Sequence, residues 1–232
     1  GIQSPWKLMD QHLDTGKQPH ELHLTVGSDR GTKYACPVCG ASCAAHDIQE
    51  KTWRHLKLFQ HHCYVHASVP RVKCPEHGVK LVEVPWARKG SAFTLLFEQA
   101  ALTLAREMPV SAAARIIEIT DHRLWRIVGH YVAKAVAAFD LSSVQAVGLD
   151  ETASKRGQNY VTVFIDMQRR EKPVLFVTPG QGKATLEAFA AFLRTHDSDP
   201  EQVLEVVCDM SGAFLSAVPK HLPNAQITVD WF

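Results

Sequence analysis

The segment Ala146–Ala153 reads AVGLDETA and decides how the C-terminal part of this 232-residue chain folds. Small and aliphatic residues run without interruption up to Leu149, which is typical of a strand that a sheet buries on both faces. The run then ends in two adjacent carboxylates, Asp150 and Glu151. A buried strand with acids at its tip indicates a functional site at one edge of a sheet.

After this strand the chain alternates between short apolar strands and helices. The strands YVTVFIDM and PVLFVTPG are followed by the helix KATLEAFAAFLRTH, the strand VLEVVCDM, the helix SGAFLSAVPKHL and the strand-like segment AQITVDWF. Three strands in succession and then strand–helix alternation predict a mixed α/β sheet. The order β-β-β-α-β-α is that of the ribonuclease-H-like fold, which we predict for residues 143–232.

Two acids close the first and the fourth of these strands. If the strands are parallel neighbours, Asp150 and Asp209 lie side by side at one edge of the sheet. Carboxylates this close repel each other unless a cation lies between them, and oxygen ligands suit Mg²⁺ or Mn²⁺. Such ions can activate a water or a 3′-hydroxyl for phosphodiester transfer. The alternative is that both acids are ordinary strand-end caps.

Three further acids have other expected places. Glu151 points away from Asp150 if the strand continues, so it is expected to hold the loop or a basic partner. Asp166 ends the second strand and is expected to be a turn residue. Asp230 closes the segment ITVDWF and could approach the acidic site.

Metal-ligand spacing occurs in the N-terminal part of the chain. CPVCG (Cys36–Gly40) and CPEHG (Cys74–Gly78) are two knuckles of the same form, and together they supply four ligands for a structural Zn²⁺. The residues between the knuckles alternate as a β-hairpin would, which predicts a zinc ribbon. The proposed ligands are Cys36, Cys39, Cys74 and His77. Other thiols and imidazoles nearby compete for these positions: Cys43, His46, His61, His62, Cys63 and His66.

Basic side chains line the predicted ribbon. They are Arg54, His55, Lys57, Arg71 and Lys73. One interpretation is that they contact DNA phosphates, and the other is that they form a solvated face.

The segment VSAAARIIEITDHRLWRIVGHYVAKAV predicts a short helix, a tight turn at Thr120–Asp121 and a longer helix. This pattern is typical of a helix-turn-helix, although any antiparallel helix pair gives a similar one. The expected packing sets Ala112, Ala113 and Ile116 against Leu124, Trp125 and Val128. The polar positions of the second helix would read DNA, and they are His122, Arg123, Arg126 and His130.

Composition places few limits on the class of protein. The chain is 46% hydrophobic and 21% charged, with a formal net charge of +1, which is ordinary for globular domains. It contains neither an apolar run of spanning length nor the apolar core of a signal peptide, so a cytoplasmic protein is expected, without a membrane partner. We predict a multidomain α+β chain with a zinc-ribbon domain at 1–88, a helical DNA-binding domain at 89–142 and the α/β domain at 143–232.

The order of CPVCG, WRHL, CPEHGV, VPWA, the helix-turn-helix, GLDETA and VVCDMS resembles transposases of the ISL3 insertion-sequence family. The resemblance implies a zinc-binding domain, a helix-turn-helix and a catalytic domain of the DDE type. It implies that Asp150 and Asp209 are the first two acids of the triad. It also implies that the third, a glutamate, lies on a helix downstream of Phe232. Glu187 and Glu205 lie between the two aspartates, which is the wrong order along the chain. A fragment or a shortened gene product is therefore expected.

Three functions follow as hypotheses. The first is a transposase that binds terminal inverted repeats and target DNA, associates as a dimer or larger assembly on DNA at the nucleoid, and cleaves and transfers strands with Mg²⁺ or Mn²⁺. The second is a non-catalytic DNA-binding protein that acts as a repressor or competitor at the same repeats. The third is a resolvase-type nuclease of the same fold that acts on branched DNA.

Overall fold

The computed structural model describes residues 1–155 and 159–230 and divides into two compact units, Gly1–Tyr131 and Val132–Phe232. The first unit begins with a mixed sheet of strand order β1-β2-β5-β4-β3, with β6 paired to β5. Its strands are β1 (Lys7–Asp14), β2 (Glu21–Gly27), β3 (Lys33–Ala35), β4 (Ser42–Leu58), β5 (His61–Cys74) and β6 (Gly78–Leu81).

The centre of this sheet is the long hairpin β4–β5, as the alternation between the two knuckles predicted. Its residues pair from Ala45↔Val72 near the open end to Leu58↔His61 at the tip. Every second side chain of β5 from Cys63 to Val69 is buried, and those of Val65, Ala67 and Val69 pack in a cluster with three tryptophans. Trp86 packs edge-on against both Trp6 and Trp53, with ring centroids 5.1 and 5.6 Å apart. Aromatic packing therefore fixes the shape of the hairpin.

Three helices follow: α1 (Leu95–Glu107), α2 (Val110–Ile117) and α3 (Asp121–Ala137), and the last of them continues past Tyr131, where the first unit ends. The Thr94 hydroxyl caps α1 by accepting a hydrogen bond from the Phe97 N–H. The predicted turn at Thr120–Asp121 is wrong by about two residues. Glu118 takes the left-handed conformation (φ 56°), and its N–H bonds back to the carbonyls of α2, so the turn is Glu118–Thr120 and α3 begins at Asp121.

The packing between α2 and α3 also differs from the prediction. Ile116 and Trp125 are 56% and 57% exposed, so neither belongs to the core. The buried positions of the two helices belong instead to residues one to two positions away in the sequence, such as Ala114 and Ile127. The buried residues of the helical core are Phe93, Phe97, Ala101, Ala113, Ala114, Leu124 and Ile127.

The second unit contains a five-stranded sheet of order β11-β10-β7-β8-β9 and two helices. Strands β7, β10 and β11 are parallel, whereas β8 and β9 are antiparallel to their neighbours. The elements are β7 (Ala146–Lys155), β8 (Asn159–Asp166), β9 (Val174–Pro179), α4 (Lys183–Thr195), a 3-10 turn (Pro200–Gln202), β10 (Glu205–Cys208), α5 (Gly212–His221) and β11 (Gln226–Val229). This is a mixed α/β domain with the predicted order of elements. Trp231 and Phe232, which close the predicted segment ITVDWF, lie outside the described residues.

One face of this sheet is covered by α4 and α5. Leu149, Phe164 and Cys208 point to that side and pack with Phe189 and Phe214, all fully or nearly fully buried. Because side chains alternate across a strand, Asp150 points to the opposite face. Asp150 was predicted to end its strand, and this is wrong, because β7 continues beyond it in the hairpin with β8.

Within the described residues, none of the helices is both long and apolar enough to cross a membrane.

Candidate functional site

The two knuckles bring four ligand atoms together. The thiols of Cys36, Cys39 and Cys74 and an imidazole nitrogen of His77 all lie within 4.8 Å of one another. The Cys74 sulfur is 3.6 Å from both the Cys39 sulfur and His77 Nδ1. Three sulfurs and one nitrogen at this spacing fit a tetrahedral zinc ion.

Two tight turns, one between β3 and β4 and one between β5 and β6, hold this cluster. The first knuckle follows β3, and its Gly40 has a φ of 74° and donates its N–H to the Cys36 carbonyl. The second follows β5 and closes at Gly78, with a φ of 67°. Both conformations favour glycine because a Cβ is disfavoured there. Backbone N–H groups of Cys39 and Val38 lower the pKa of the Cys36 thiol, which favours the thiolate that a metal binds.

The competing thiols and imidazoles lie outside this cluster. Cys43 is buried and faces the Ala41 carbonyl, and burial raises the pKa of its thiol. Cys63 is buried, and the pKa of its thiol is also raised by burial. The imidazole of His62 bonds to Glu118, and that of His66 bonds to His23. Among the described residues of the ribbon, the four knuckle residues are the set whose ligand atoms all lie close enough to share one ion.

A second group with metal-ligand chemistry was not predicted. Carboxylate and imidazole atoms of Asp14, Glu21 and His23 also lie within 4.8 Å of one another. The ammonium of Lys17 already bonds to Glu21 at 2.5 Å and lies 3.9 Å from Asp14. This lysine supplies the positive charge that the two acids need, so the group is a surface ion-pair cluster.

The two predicted acids of the second unit lie on neighbouring parallel strands in matching register. Val207 of β10 pairs with Gly148 of β7, and Asp209 and Asp150 each lie two residues further along. Both acids line one open cavity of about 410 Å³. Asp150 accepts a hydrogen bond from the Glu151 N–H (2.7 Å) and Asp209 accepts one from the Ser211 N–H (3.0 Å). Two exposed carboxylates that share a cavity suit a hard divalent cation.

The walls of the cavity come from the uncovered face of the sheet. Gly148 forms part of it, and a Cβ there would lie 2.6 Å from the Met167 sulfur, so a larger residue would require the Met167 side chain to move. Asp230 also lines the cavity, and its N–H bonds to the Cys208 carbonyl one residue before Asp209. Glu187 and Glu205 are not among the described residues that line it.

Glu151 and Asp166 have the structural roles that were predicted for them. The Glu151 carboxylate accepts a hydrogen bond from the Gly182 N–H at 2.9 Å and so holds the loop that leads into α4. The Asp166 carboxylate accepts the Gln168 N–H at 2.9 Å, which closes the turn after β8.

Three of the four basic ribbon residues proposed for DNA contact already bind acids within the protein. Arg71 donates two hydrogen bonds to Asp47, and Lys57 donates to Glu118 at 2.5 Å. Arg54 donates to the Glu118 carbonyl at 2.6 Å. Lys73, on β5 opposite Val79, is exposed. His55, named with them, bonds to the Thr94 hydroxyl, and burial lowers the pKa of its imidazole.

The four residues proposed on the second helix lie on α3 and are exposed. Arg123 stacks on Phe93, with its guanidinium carbon 4.7 Å from the ring centroid. The His130 ring packs edge-on against Tyr131. His122 and Arg126 extend from the first two turns of the helix, which is where a recognition helix contacts base edges.

Comparison with known proteins gives one family over three segments. Residues 33–77 match the zinc-finger of transposase IS204/IS1001/IS1096/IS1165, and residues 82–132 match the helix-turn-helix domain of transposase family ISL3. Residues 147–232 match the transposase model of the same family, of the DDE class. The predicted resemblance, the zinc ribbon and the helix-turn-helix are thereby confirmed.

Two curated relatives are similar over most of the chain. The transposase for insertion sequence element IS1557 of Mycobacterium tuberculosis is 29% identical over 204 residues, which cover 85% of this chain and 44% of the relative. The transposase for insertion sequence element IS1001 of Bordetella parapertussis is 28% identical over 199 residues, covering 85% and 48%. The chain therefore spans about half the length of the curated relatives it matches.

Proposed function

The chain belongs to the ISL3 family of insertion-sequence transposases, and from this premise we propose that it binds transposon terminal inverted repeats and takes part in DDE-type strand cleavage and transfer. Two observations together support the proposal. One chain contains segments that match three ISL3 domains, and its two aspartates lie in matching register on neighbouring strands and line the same cavity. We propose a ribonuclease-H-like fold for residues 143–232 on the same grounds.

In this proposal Asp150 and Asp209 hold Mg²⁺ or Mn²⁺. The residues fit such an ion, because both carboxylates are exposed, line one cavity and lack a described ion-pair partner within residues 1–155 and 159–230. The bound cation supplies Lewis-acid activation of a water or 3′-hydroxyl and neutralises the leaving oxygen. The backbone N–H groups of Glu151 and Ser211 orient the two carboxylates.

The zinc ribbon and the helices form the DNA-binding part of this proposal. Cys36, Cys39, Cys74 and His77 hold a structural Zn²⁺ that stabilises the two turns next to the aromatic core. The helical domain at 89–142 contacts base edges through His122 and Arg126, and Lys73 contacts phosphate. Arg54, Lys57 and Arg71 are not proposed as direct DNA contacts, because the Glu118 carboxylate pairs with the first two and that of Asp47 with the third. Association of two or more copies on DNA completes the proposal.

The test uses a full-length transposase that contains this chain and a duplex with its terminal inverted repeat. Asp150→Asn and Asp209→Asn should each abolish Mn²⁺-dependent strand transfer and leave repeat binding unchanged, as measured by gel assay and fluorescence anisotropy. Asp197→Asn is the matched control, because Asp197 is exposed and has a φ of 53°, a conformation that asparagine tolerates.

Strand transfer that survives in either aspartate variant would remove that residue from the metal site. Repeat binding by the 232-residue chain without any divalent-dependent nicking would instead favour the non-catalytic repressor. Preferred binding to four-way junctions over linear repeats would favour the resolvase-type nuclease.

A further inference from the structure

The turn between α2 and α3 contains a glutamate where the backbone favours glycine. Glu118 has φ 56° and ψ 50°, and its N–H bonds to the carbonyls of Ala114 and Arg115 to end α2. This left-handed conformation is unfavourable for a residue with a Cβ, and glycine is the usual residue at such a helix end. A glutamate in this position indicates that its side chain supplies an interaction that offsets the strain.

The Glu118 carboxylate binds three basic groups from the tip of the ribbon hairpin. Lys57 Nζ donates to Oε1 at 2.5 Å, the His62 imidazole donates to Oε2, and Arg54 Nη2 lies 3.5 Å from Oε2. Arg54 also donates to the backbone carbonyl of the same residue at 2.6 Å. Arg54 and Lys57 belong to β4 and His62 to β5, so one acid holds both arms of the hairpin.

Two of the four groups in this contact are largely buried. The side chains of Arg54 and His62 are 13% and 15% exposed, so water replaces their lost partner poorly, whereas those of Lys57 and Glu118 are 38% and 42% exposed. Hydrogen bonds from Lys57 and then His62 lower the pKa of the Glu118 carboxyl to about 2. The acid is therefore ionised wherever the protein is folded at neutral pH.

Glu118 lies at the edge of a continuous joint between the hairpin and the helices. The Arg54 N–H donates to the Ala92 carbonyl at 2.9 Å, and the Thr94 N–H donates to the Arg54 carbonyl at 3.0 Å. The Arg54 guanidinium lies 5.5 Å from the centre of the Phe97 ring, and Leu56 packs against the helical core. Among the described residues, every ion pair that crosses this joint ends on Glu118.

We propose that Glu118 is a positioning residue that locks the tip of the zinc-ribbon hairpin to the turn of the helix-turn-helix. The ribbon and α3 then contact DNA as one rigid unit. Because their relative motion is already restricted, DNA binding loses less conformational entropy. The DNA part of this inference rests on the proposed function, whereas the lock itself does not.

Amide hydrogen exchange on the zinc-loaded 232-residue chain tests the lock. Glu118→Gln keeps the shape of the side chain and removes its charge, and we expect exchange about 10-fold faster or more at the hairpin tip, residues 55–62, and in the turn. Glu118→Gly relieves the backbone strain but removes the carboxylate, so the hairpin tip should loosen there as well. Glu107→Gln, at an exposed glutamate that ends α1, is the matched control.

Unchanged protection of the hairpin tip in Glu118→Gln would overturn the lock. Wild-type protection of the tip in Glu118→Gly would do the same, because it would assign Glu118 only a role in the turn. Zinc content should remain at one equivalent in all three variants, since none of the changes touches a knuckle.

Fluorescence anisotropy with the terminal-repeat duplex tests the consequence for DNA. Glu118→Gln should weaken binding about 10-fold, and Glu107→Gln should bind as the wild type does. Tighter binding with a steeper salt dependence would overturn the positioning role, because it would mean that Glu118 masks Arg54 and Lys57 from phosphate. A wild-type chain that fails to bind the repeat counts against the proposed function, and the exchange comparison still decides the role of Glu118.

Discussion

The two candidate metal centres of this chain are built in opposite ways. At the ribbon, four ligand atoms from two knuckles already lie within 4.8 Å of one another. At the acidic centre, Asp150 and Asp209 line an open cavity of about 410 Å³ and bond to their own neighbouring backbone N–H groups. The first centre is assembled by the fold, whereas the second is held open.

The chemistry of the ligands explains this difference. An ordinary thiol is mostly uncharged at neutral pH, so three of them can converge in the folded chain without strong repulsion. Two carboxylates are both charged and repel each other until a cation is present. A structural centre can therefore be closed by packing alone, and a catalytic centre must keep its acids apart and accessible.

The same contrast extends to the folding of the two units. The ribbon rests on a cluster in which Cys36, Cys43 and Cys74 take part, so its core and its metal centre are one structure. The core of the second unit contains four fully buried residues of phenylalanine and leucine on α4 and α5 and does not include Asp150 or Asp209. Loss of metal should therefore unfold one centre and leave the other folded.

Removal of zinc has the largest expected effect. Cys36→Ser should abolish the bound equivalent of zinc and unfold the ribbon, since structural zinc contributes on the order of 10 kcal/mol in small zinc modules. Metal analysis and amide exchange measure this loss, and exchange in α4 and α5 should not change. Cys63→Ala, at a buried thiol outside the cluster, should retain the zinc. A zinc-free Cys63→Ala protein would contradict the assigned ligand set.

Substitution of Glu98, a buried acid of the first unit, has an intermediate expected effect on stability. Glu98 is fully buried and accepts hydrogen bonds from Arg88 (2.9 Å), Ser91 (2.6 Å) and Tyr131 (2.8 Å). Glu98→Gln should lower the free energy of unfolding by about 3 kcal/mol, because it leaves Arg88 without its counter-charge. Chemical denaturation measures the change, and a loss below about 1 kcal/mol would contradict it.

The Glu98→Gln variant should also change the titration of Tyr131. Burial and then the hydrogen bond to Glu98 raise the pKa of Tyr131 to about 12. A raised pKa stabilises the folded protein below about pH 10, the ordinary value for tyrosine, and this contribution is lost as the pH rises from about 10 to about 12. Ultraviolet titration of Glu98→Gln should show the pKa of Tyr131 closer to the ordinary value.

The acids of the second unit should have the smallest effect on stability. Without divalent cations, Asp150→Asn should change the free energy of unfolding by less than about 1 kcal/mol, because the side chain is exposed and its neutralisation relieves repulsion with Asp209. With Mn²⁺ at about 100 times its dissociation constant, the wild type should gain about 2.7 kcal/mol and the variant much less. Thermal denaturation with Asp197→Asn as control checks both statements. An equal gain in the variant would mean that Asp150 does not hold the ion.

Sequence spacing was sufficient for contacts that are local along the chain. The two knuckles and their glycines were predicted in this way, as were the turn at Asp166 and the hairpin between the knuckles. Alternation along β7 also predicted that Glu151 points away from Asp150, and in the structure Glu151 accepts a hydrogen bond from the Gly182 N–H.

The helix pair shows where spacing alone is insufficient. Ile116 and Trp125 have the correct periodicity for a core and are nevertheless more than half exposed, whereas Ala114 and Ile127 are buried. A short amphipathic helix can be rotated by one residue about its axis and still show an apolar stripe. The contact with Phe93 and Phe97 selects the face that is buried, and those residues precede the predicted helix pair.

The sequence by itself determined the chemistry available at each centre: thiols and an imidazole at knuckle spacing, and acids after buried strands. Only the tertiary structure decided which charges remain free. Lys57 and Arg54 bind Glu118 across 61 and 64 residues, and no local pattern specifies a partner at that distance. The physical reason is that ligand type and turn geometry are set by neighbouring residues, whereas the pairing of charges depends on which surfaces the hydrophobic cores bring into contact.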